Sequence, residues 1–183
     1  LHEPALLDGV QAAARRIARA VRERELILIH GDYDVDGVTG TALLMRLFQL
    51  IGARAEWFIP NRFDHGYSFG PHSVEQALRR EASLVVSVDN GTSAAVTIAA
   101  LAAHGIDTIV TDHHEPPDGP LPGPSIGAVA LVNPKLPGSD YPFRELCGSA
   151  VAFKLAWALC QRLTGAQRVR EDLRGLLFDA MGY

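Results

Sequence analysis

The sequence predicts an α/β fold: a mostly parallel five-stranded sheet flanked by helices, as in Rossmann-like domains, with further helices at the C-terminal end. Three observations predict it. Five apolar runs are each too short for a helix, amphipathic segments separate most of them, and loops containing Pro, Gly or Asp lie between. Strands that alternate with helices of about ten to fifteen residues are typical of βαβ units in a sheet covered on both faces.

The N-terminal half begins with a helix and a strand. Residues 8–24 carry apolar side chains at helical spacing with arginines on the opposite face, which indicates an amphipathic helix. Residues 26–30 (LILIH) form a short apolar run that is too brief for a helix and indicates a buried strand. The same alternation then predicts a loop over 31–37, a helix over 38–51, a strand over 54–59, a polar loop over 60–70 and a helix over 71–80.

The C-terminal half continues the alternation. Residues 84–88 (LVVSV) are predicted to form the third strand, and a helix over 93–104 follows it. Two further strands are predicted at 107–111 and 128–132, with a loop rich in Pro and Gly between them. The remaining apolar segments predict helices over 148–163 and 168–182.

Composition sets the broad class of protein. The chain has 183 residues, 48% of them hydrophobic, which suits one domain with a sizeable core. No apolar run approaches the roughly 20 residues of a membrane span, and the start does not resemble a signal peptide. We therefore expect a cytoplasmic protein that does not enter a membrane. Cys147 and Cys160 do not form a C-x-x-C pair and are predicted to be reduced core residues.

The net charge of −4 argues mildly against a nucleic-acid-binding protein, because neutralising phosphates usually requires a basic face. The acidic residues are not evenly spread, however, and several of them follow predicted strands. Divalent cations bound among these acids would reverse the local sign of the charge. Net charge therefore leaves the kind of partner open.

Polar residues cluster where the predicted strands end. Ligands bind at the carboxyl ends of the strands in open parallel sheets, and right-handed crossovers place those ends on one edge. These residues should therefore converge in space. They are His30, Asp32, Asp34 and Asp36 after the first strand, Asp89 and Asn90 after the third, Asp112, His113 and His114 after the fourth, and Asn133, Pro134 and Lys135 after the fifth.

A single Asp after a strand is usually a helix cap or a turn former. Several carboxylates at one edge are different, because they repel one another unless a cation lies between them. Asp oxygens and His nitrogens without Cys suit Mn²⁺ or Mg²⁺ better than structural zinc. A shared carboxylate between two such ions is the usual arrangement for metal-assisted phosphoester hydrolysis.

These residues resemble motifs I to III of the DHH phosphoesterase family. The matching stretches are residues 30–37 (HGDYDVDG), 88–91 (VDNG) and 111–115 (TDHHE). Within that family, other stretches resemble the RecJ exonucleases more than the pyrophosphatases or small oligonucleotide phosphatases. They are residues 59–63 (IPNRF) with Gly66 and Tyr67, 132–135 (VNPK), 141–143 (YPF) and 148–155 (GSAVAFKL).

The resemblance implies roles for individual residues. It implies metal ligands at Asp34, Asp36, Asp89 and His113, with Asp89 bridging two ions, and a possible further ligand at His30. It implies that His114 contacts the scissile phosphate or acts as an acid, that Asp112 orients a histidine, and that Asp32 supports the site or binds a water. The residues expected to contact substrate are Arg62, Lys135 and Asn90.

The resemblance also implies an activity: 5′-to-3′ degradation of single-stranded DNA in recombination and repair, with two Mn²⁺ or Mg²⁺ ions. A single-strand-binding protein and a RecQ-type helicase are the implied protein partners. The family has a fourth motif, for which Asp179 is the only late candidate, and its flanks indicate a helix rather than a strand. We therefore expect a DHH domain over 1–183 that is truncated before motif IV, lacks the second, DHHA1-type domain, and has little activity alone.

Of four alternatives, three stay open and one is excluded. Residues 34–38 (DVDGV) also resemble haloacid dehalogenase-type phosphatases, in which Asp34 would be the nucleophile, but that class does not require His30 or residues 112–114. A dinucleotide-binding module does not fit, because the glycines do not match G-x-G-x-x-G. The others are a DHH-family oligoribonuclease or small nucleotide phosphatase, and a DHH module that binds without catalysis.

Overall fold

The computed structural model describes residues 1–61, 69–165, 169, 171 and 173–175. Five strands form one sheet in the order β2-β1-β3-β4-β5, and every neighbouring pair is parallel. The α/β prediction is therefore confirmed, with an all-parallel sheet. The strands are β1 (Ile27–Gly31), β2 (Ala55–Phe58), β3 (Leu84–Val88), β4 (Asp107–Thr111) and β5 (Ala128–Val132).

Helices cover both faces of the sheet because the strand side chains alternate between two apolar cores. Ile27 and Ile29 face the larger core with α1, α2 and α5, whereas Leu28 faces the smaller core with α3 and α4. The helices are α1 (Val10–Glu23), α2 (Val35–Leu50), α3 (Pro71–Arg79), α4 (Ala95–Ala103) and α5 (Gly148–Thr164), preceded by a 3₁₀ turn at Pro4–Leu6.

Helix α2 begins earlier than predicted. Residues 31–37 were expected to form a loop, but the helix starts at Val35. The Asp34 side chain caps it by accepting a hydrogen bond from the amide of Gly37 at 2.9 Å, which satisfies one of the free amides of the first turn. As a result Asp36 lies on the first turn of a helix, where its position is fixed by regular backbone geometry.

A buried arginine joins α1 to the amino-terminal edge of the sheet. Arg16 forms an ion pair with Glu25 at 2.6 Å, and its Nε contacts the carboxylate of Asp107 at the start of β4. Its Nη2 also donates to the carbonyl oxygen of Ser83 at 3.4 Å. This network lies at the end of the sheet opposite the predicted site, so its role is structural.

Some predictions fall outside the described residues, and the prediction for Cys147 is wrong. Arg62, Asp179 and most of the helix predicted over 168–182 cannot be compared with the structure. Cys160 is buried, as predicted, but Cys147 is exposed because it lies at the N-cap of α5 rather than within the helix. None of the helices in the described part of the chain combines the length and apolar character of a membrane span.

Candidate metal centre

The carboxyl ends of β1, β3, β4 and β5 bring the predicted polar residues to one edge of the sheet. The closest group consists of one side-chain atom each from Asp89, His113 and His114, all within 4.8 Å of one another. Asp36 adjoins it, because its Oδ2 lies 3.8 Å from Nε2 of His113. Residues from three different strand ends therefore share one small site, as the parallel topology predicts.

Asp89 is at the centre of this site. Its side chain is 1% exposed, and its backbone has a φ of 64°, a left-handed conformation that is uncommon for a residue other than Gly. Burial, together with repulsion from Asp36 and Asp34, raises the pKa of Asp89 to about 8. Backbone strain and an unfavourably placed charge at one residue are typical of functional sites.

The surroundings of Asp89 fit a cation. Its Oδ1 is buried and accepts no hydrogen bond, although Nε2 of His113 lies 3.2 Å from it. An imidazole nitrogen and carboxylate oxygens that face one another without intervening donors form a donor set suited to Mn²⁺ or Mg²⁺. The residues present therefore fit a divalent ion bound between Asp89, His113 and Asp36, with Asp34 close enough to contribute charge.

Asp36 is held from the opposite side by the N-terminus of α5. The amide of Gly148 donates to Oδ2 at 2.6 Å, and the amide of Ser149 donates to Oδ1 at 2.8 Å. Burial alone would raise the pKa of Asp36, but donors from Ser149, Cys147 and Gly148 outweigh it and lower that pKa. Asp36 is therefore kept ionised, as a metal ligand must be.

Asp112 and His114 form a hydrogen-bonded pair within the site. Oδ1 of Asp112 lies 2.7 Å from Nδ1 of His114, and Oδ2 accepts from the amide of Thr92 at 2.9 Å. Burial would raise the pKa of Asp112, but the hydrogen bonds from His114 and Thr92 hold it at about 2. The same hydrogen bond raises the pKa of His114 to about 9. The ring of His114 is largely exposed to solvent.

His30 does not join this group. Its ring is fully buried between Phe58 and Phe69, and its Nε2 lies 2.9 Å from the hydroxyl of Ser73 on α3. Burial, together with the neighbouring His72, lowers the pKa of His30 to about 3, so the ring is neutral. The structure therefore gives His30 a packing role on the α3 side of β1, and its role as a ligand stays a prediction.

The remaining predicted residues differ in their access to a substrate. Asp32 accepts from the amide of Tyr33, and burial raises its pKa. The side chain of Asn90 is 3% exposed, which leaves it little surface for a direct contact. Lys135 forms a 3.1 Å ion pair with the exposed Glu115, which leaves its amine at the rim of the site.

Sequence reasoning did not assign roles to four residues that support the site. Gly148 and Ser149 hold Asp36, Thr92 donates to Asp112, and the Asn133 side chain donates to the carbonyl oxygen of His114 at 2.9 Å. Asn133 was expected at this edge of the sheet but without a role, whereas Thr92, Gly148 and Ser149 come from a loop and the start of α5, which no local pattern links to the acids. His114 was expected to contact phosphate, and the structure also places it within the group that could hold a metal.

Fold and site together define an α/β protein with a candidate carboxylate–histidine metal centre at the C-terminal edge of a parallel sheet. Residues 26–181 match the family described as "DHH family, N-terminal domain". The chain belongs to the DHH family.

Within the DHH family, the chain is similar to exonucleases named RecJ. The chain is 44% identical over 163 residues to the single-stranded-DNA-specific exonuclease RecJ of Bacillus subtilis, an alignment that covers 88% of this chain and 20% of the relative. The crystal structure of an exonuclease RecJ bound to manganese superposes with a TM-score of 0.79 at 35% identity, covering 95% of this chain and 42% of that one. RecJ of Thermus thermophilus in complex with Mn²⁺ has a TM-score of 0.74 at 34% identity, covering 95% of this chain and 24% of that one. The chain thus spans less than half the length of these relatives.

Proposed function

We propose that this chain is the metal-binding domain of a single-stranded-DNA-specific exonuclease, a hydrolase that cleaves phosphodiesters with Mn²⁺ or Mg²⁺. The observation that carries the proposal is the buried, unbonded Oδ1 of Asp89 beside Asp36 and His113. Such a group is costly to bury without a cation. The similarity to RecJ proteins, two of which were crystallised with manganese, supports both the metal and the substrate.

Asp34, Asp36, Asp89 and His113 would hold the metal, with Asp89 shared if two ions bind. Bound divalent ions supply Lewis acidity that activates water and neutralises charge on a phosphate. The protein's contribution is positional. Asp36 is fixed by two amides and a helix turn, and Asp89 is fixed by a strained backbone. The two carboxylates therefore do not need to reorganise when a divalent ion binds.

His114 would contact the scissile phosphate or supply a proton to the leaving oxygen. Its Nδ1 is hydrogen-bonded to Asp112, which fixes the ring, and its side chain is largely exposed. Asp112 is oriented in turn by the amides of Thr92 and His113. Asp112 therefore acts as the residue that positions and charges His114 rather than as a group that touches substrate.

Lys135 is proposed to contact the DNA backbone at the rim of the site, since it lies next to the loop that carries His114. Its ion pair with the exposed Glu115 is weak, so its amine can readily exchange this carboxylate for a phosphate. Arg62 keeps the same proposed role. We propose Asn90 as a support of the site rather than a direct contact, because its side chain is buried.

Further parts of this proposal concern the whole protein. They are 5′-to-3′ polarity, two metal ions, a role in recombination and repair, a cytoplasmic location, and a longer chain that supplies motif IV and a DHHA1-type domain. A single-strand-binding protein and a RecQ-type helicase remain proposed partners. The extent of the alignments supports a longer protein, because the Bacillus subtilis relative is matched over 20% of its length.

The test is degradation of 5′-labelled single-stranded and duplex DNA by the full-length protein with Mn²⁺, Mg²⁺ or EDTA. The Asp89→Ala variant of the full-length protein and a protein of residues 1–183 are assayed in parallel. The proposal expects the release of mononucleotides from the 5′ end of single strands. This release should require Mn²⁺ or Mg²⁺ and should be abolished in the Asp89→Ala variant. Cleavage of dinucleotides or small phosphate esters without DNA degradation would instead indicate an oligoribonuclease or nucleotide phosphatase. Metal binding without hydrolysis of any of these substrates would indicate a binding module.

A further inference from the structure

The N-terminus of α5 forms one wall of the metal site. Three consecutive residues, Cys147, Gly148 and Ser149, surround the carboxylate of Asp36. The amides of Gly148 and Ser149 donate to its two oxygens at 2.6 and 2.8 Å, and the Ser149 hydroxyl and the Cys147 thiol, 3.2 Å apart, lie beside it. These residues follow Asp36 in the sequence by more than 100 positions, so the contact depends on the tertiary fold.

Gly148 also touches the second carboxylate. A Cβ added at this position would lie 2.2 Å from Oδ1 of Asp89 and 2.5 Å from its Cγ. Real Cβ atoms do not approach other atoms this closely, so any larger residue would displace the carboxylate or the helix. Oδ1 of Asp89 is the same buried oxygen that lacks a hydrogen bond. It can lie 3.2 Å from Nε2 of His113 only because residue 148 is a glycine and has no Cβ.

The helix itself is held close to the site by a second glycine. A Cβ added to Gly40 on α2 would lie 2.7 Å from Cγ1 of Val88, 3.2 Å from Cα of Ser149 and 3.3 Å from Cβ of Ala152. Gly40 lies one turn after Asp36 on the same helix. Close packing at Gly40 thus brings the start of α5 to the carboxylates that follow β1 and β3.

From this geometry we infer that Gly148 and Ser149 are positioning residues of the metal centre, which set the separation of the Asp36 and Asp89 carboxylates. Each oxygen of a carboxylate has two lone pairs, so an oxygen that accepts an amide hydrogen bond can still bind a cation. Hydrogen bonds to both oxygens of Asp36 fix the rotation of its carboxylate, and the absence of a side chain at position 148 leaves room for Asp89. Supporting contacts of this kind typically contribute about ten- to hundredfold to metal affinity or activity.

The inference rests on the proposed metal centre, and a Mn²⁺ titration of the full-length protein separates the two. Binding is followed by the loss of the electron paramagnetic resonance signal of free Mn²⁺, and melting in EDTA reports folding. The variants are Gly148→Ala, Ser149→Ala, Ser149→Thr as the form that keeps the hydroxyl, and Gly119→Ala as a control, because a Cβ at Gly119 meets nothing within 4 Å.

We expect Gly148→Ala to weaken Mn²⁺ binding about tenfold or more and Ser149→Ala several-fold, with Ser149→Thr and Gly119→Ala within about twofold of the parent. If Gly148→Ala fails to fold, the inference is tested by comparing the Mn²⁺ affinity of Ser149→Ala with that of Ser149→Thr. Ser149→Ala should melt in EDTA at the same temperature as the parent, so a difference in affinity would not reflect misfolding. Parent-like binding by folded Gly148→Ala and by Ser149→Ala would overturn the inference while leaving the metal centre intact. A parent protein that does not bind Mn²⁺ would instead contradict the metal centre itself.

Discussion

The ring nitrogen Nδ1 of His114 lies 2.7 Å from Oδ1 of Asp112, a carboxylate that is almost completely buried. The two residues are separated by only one position in the chain, and the loop after β4 turns so that Asp112 points inward and His114 outward. The inner residue thereby fixes the orientation of the outer one. An exposed histidine held in this way is suited to act on a phosphate, because little freedom is lost when the substrate binds.

Replacing Asp112 with Asn should therefore impair catalysis more than DNA binding. Asn cannot hold His114 as a charged ring, so we expect the turnover rate of the full-length protein on single-stranded DNA to fall about ten- to hundredfold. Asp118→Asn in the exposed loop is the matched control. Unchanged turnover by Asp112→Asn would show that His114 does not depend on this partner.

Asp89 should contribute less to the stability of the metal-free protein as the pH rises. Its pKa is about 8 in the folded chain and about 4 when unfolded, so the folded state binds the extra proton. This contribution is fully present below pH 4 and is lost as the pH rises through 8. In EDTA, Asp89→Asn should therefore gain stability relative to the parent between pH 5 and 8, on the order of a few kcal/mol, measured by urea unfolding.

The control for this experiment is Mn²⁺. A bound cation favours the ionised carboxylate, so saturating metal should stabilise the parent at pH 7.5 but not Asp89→Asn. If the two proteins showed the same dependence on pH in EDTA, the account of Asp89 as a buried, uncompensated charge would be wrong.

The fold and most of the site could be predicted from the sequence because both depend on local patterns. Apolar runs such as residues 84–88 specify buried parallel strands, and acids placed directly after strands must meet at one edge. The order of β1, β3 and β4 in the sheet then brings Asp36, Asp89 and His113 together without further information.

The differences have physical reasons. Helix α2 starts early because Asp34 caps it, and the sequence alone did not distinguish a cap from a loop residue. The packing of His30 against Phe69 and Ser73 on the α3 side of β1 could not be read from the sequence, and its role as a ligand stays a prediction. The contact of Gly148 with Asp89 depends on the packing of α5 against α2, which no local pattern encodes.

His30 should make the protein less stable in acid. Its pKa is about 3 in the folded chain and about 6.5 when unfolded, so between these values only the unfolded state gains a proton. Its stabilising contribution is present above pH 6.5 and is lost as the pH falls toward 3, by on the order of 1 kcal/mol per pH unit. His30→Gln, which can still bond to Ser73, should show a shallower loss of stability between pH 6.5 and 4.5.

Urea unfolding at several pH values checks this prediction, with His104→Gln at an exposed helix end as the control. Curves for His30→Gln that run parallel to those of the parent would contradict the assignment of a buried neutral imidazole at this position.

Arg16 should matter for stability and not for chemistry. Its guanidinium is buried and shared between Glu25, Asp107 and the carbonyl of Ser83. Arg16→Met leaves Glu25 without this partner, whereas Asp107 keeps its 3.1 Å ion pair with Arg19. Because Glu25 loses its ion-pair partner and the buried guanidinium is removed, we expect a loss of about 3 kcal/mol in the free energy of unfolding, and unchanged Mn²⁺ affinity in the folded protein. Arg15→Met on the exposed face of α1 is the control. A loss of metal affinity at constant stability would contradict the structural role.

The most direct test of the central claim is a calorimetric titration of the full-length protein with Mn²⁺, using the parent, Asp89→Asn, His113→Gln and Asp118→Asn. If Asp89 and His113 hold the metal, the parent and Asp118→Asn should bind with the same affinity, and both site variants should bind at least about tenfold more weakly. Equal binding by all four proteins would contradict the claim, because the metal would then lie elsewhere in the molecule.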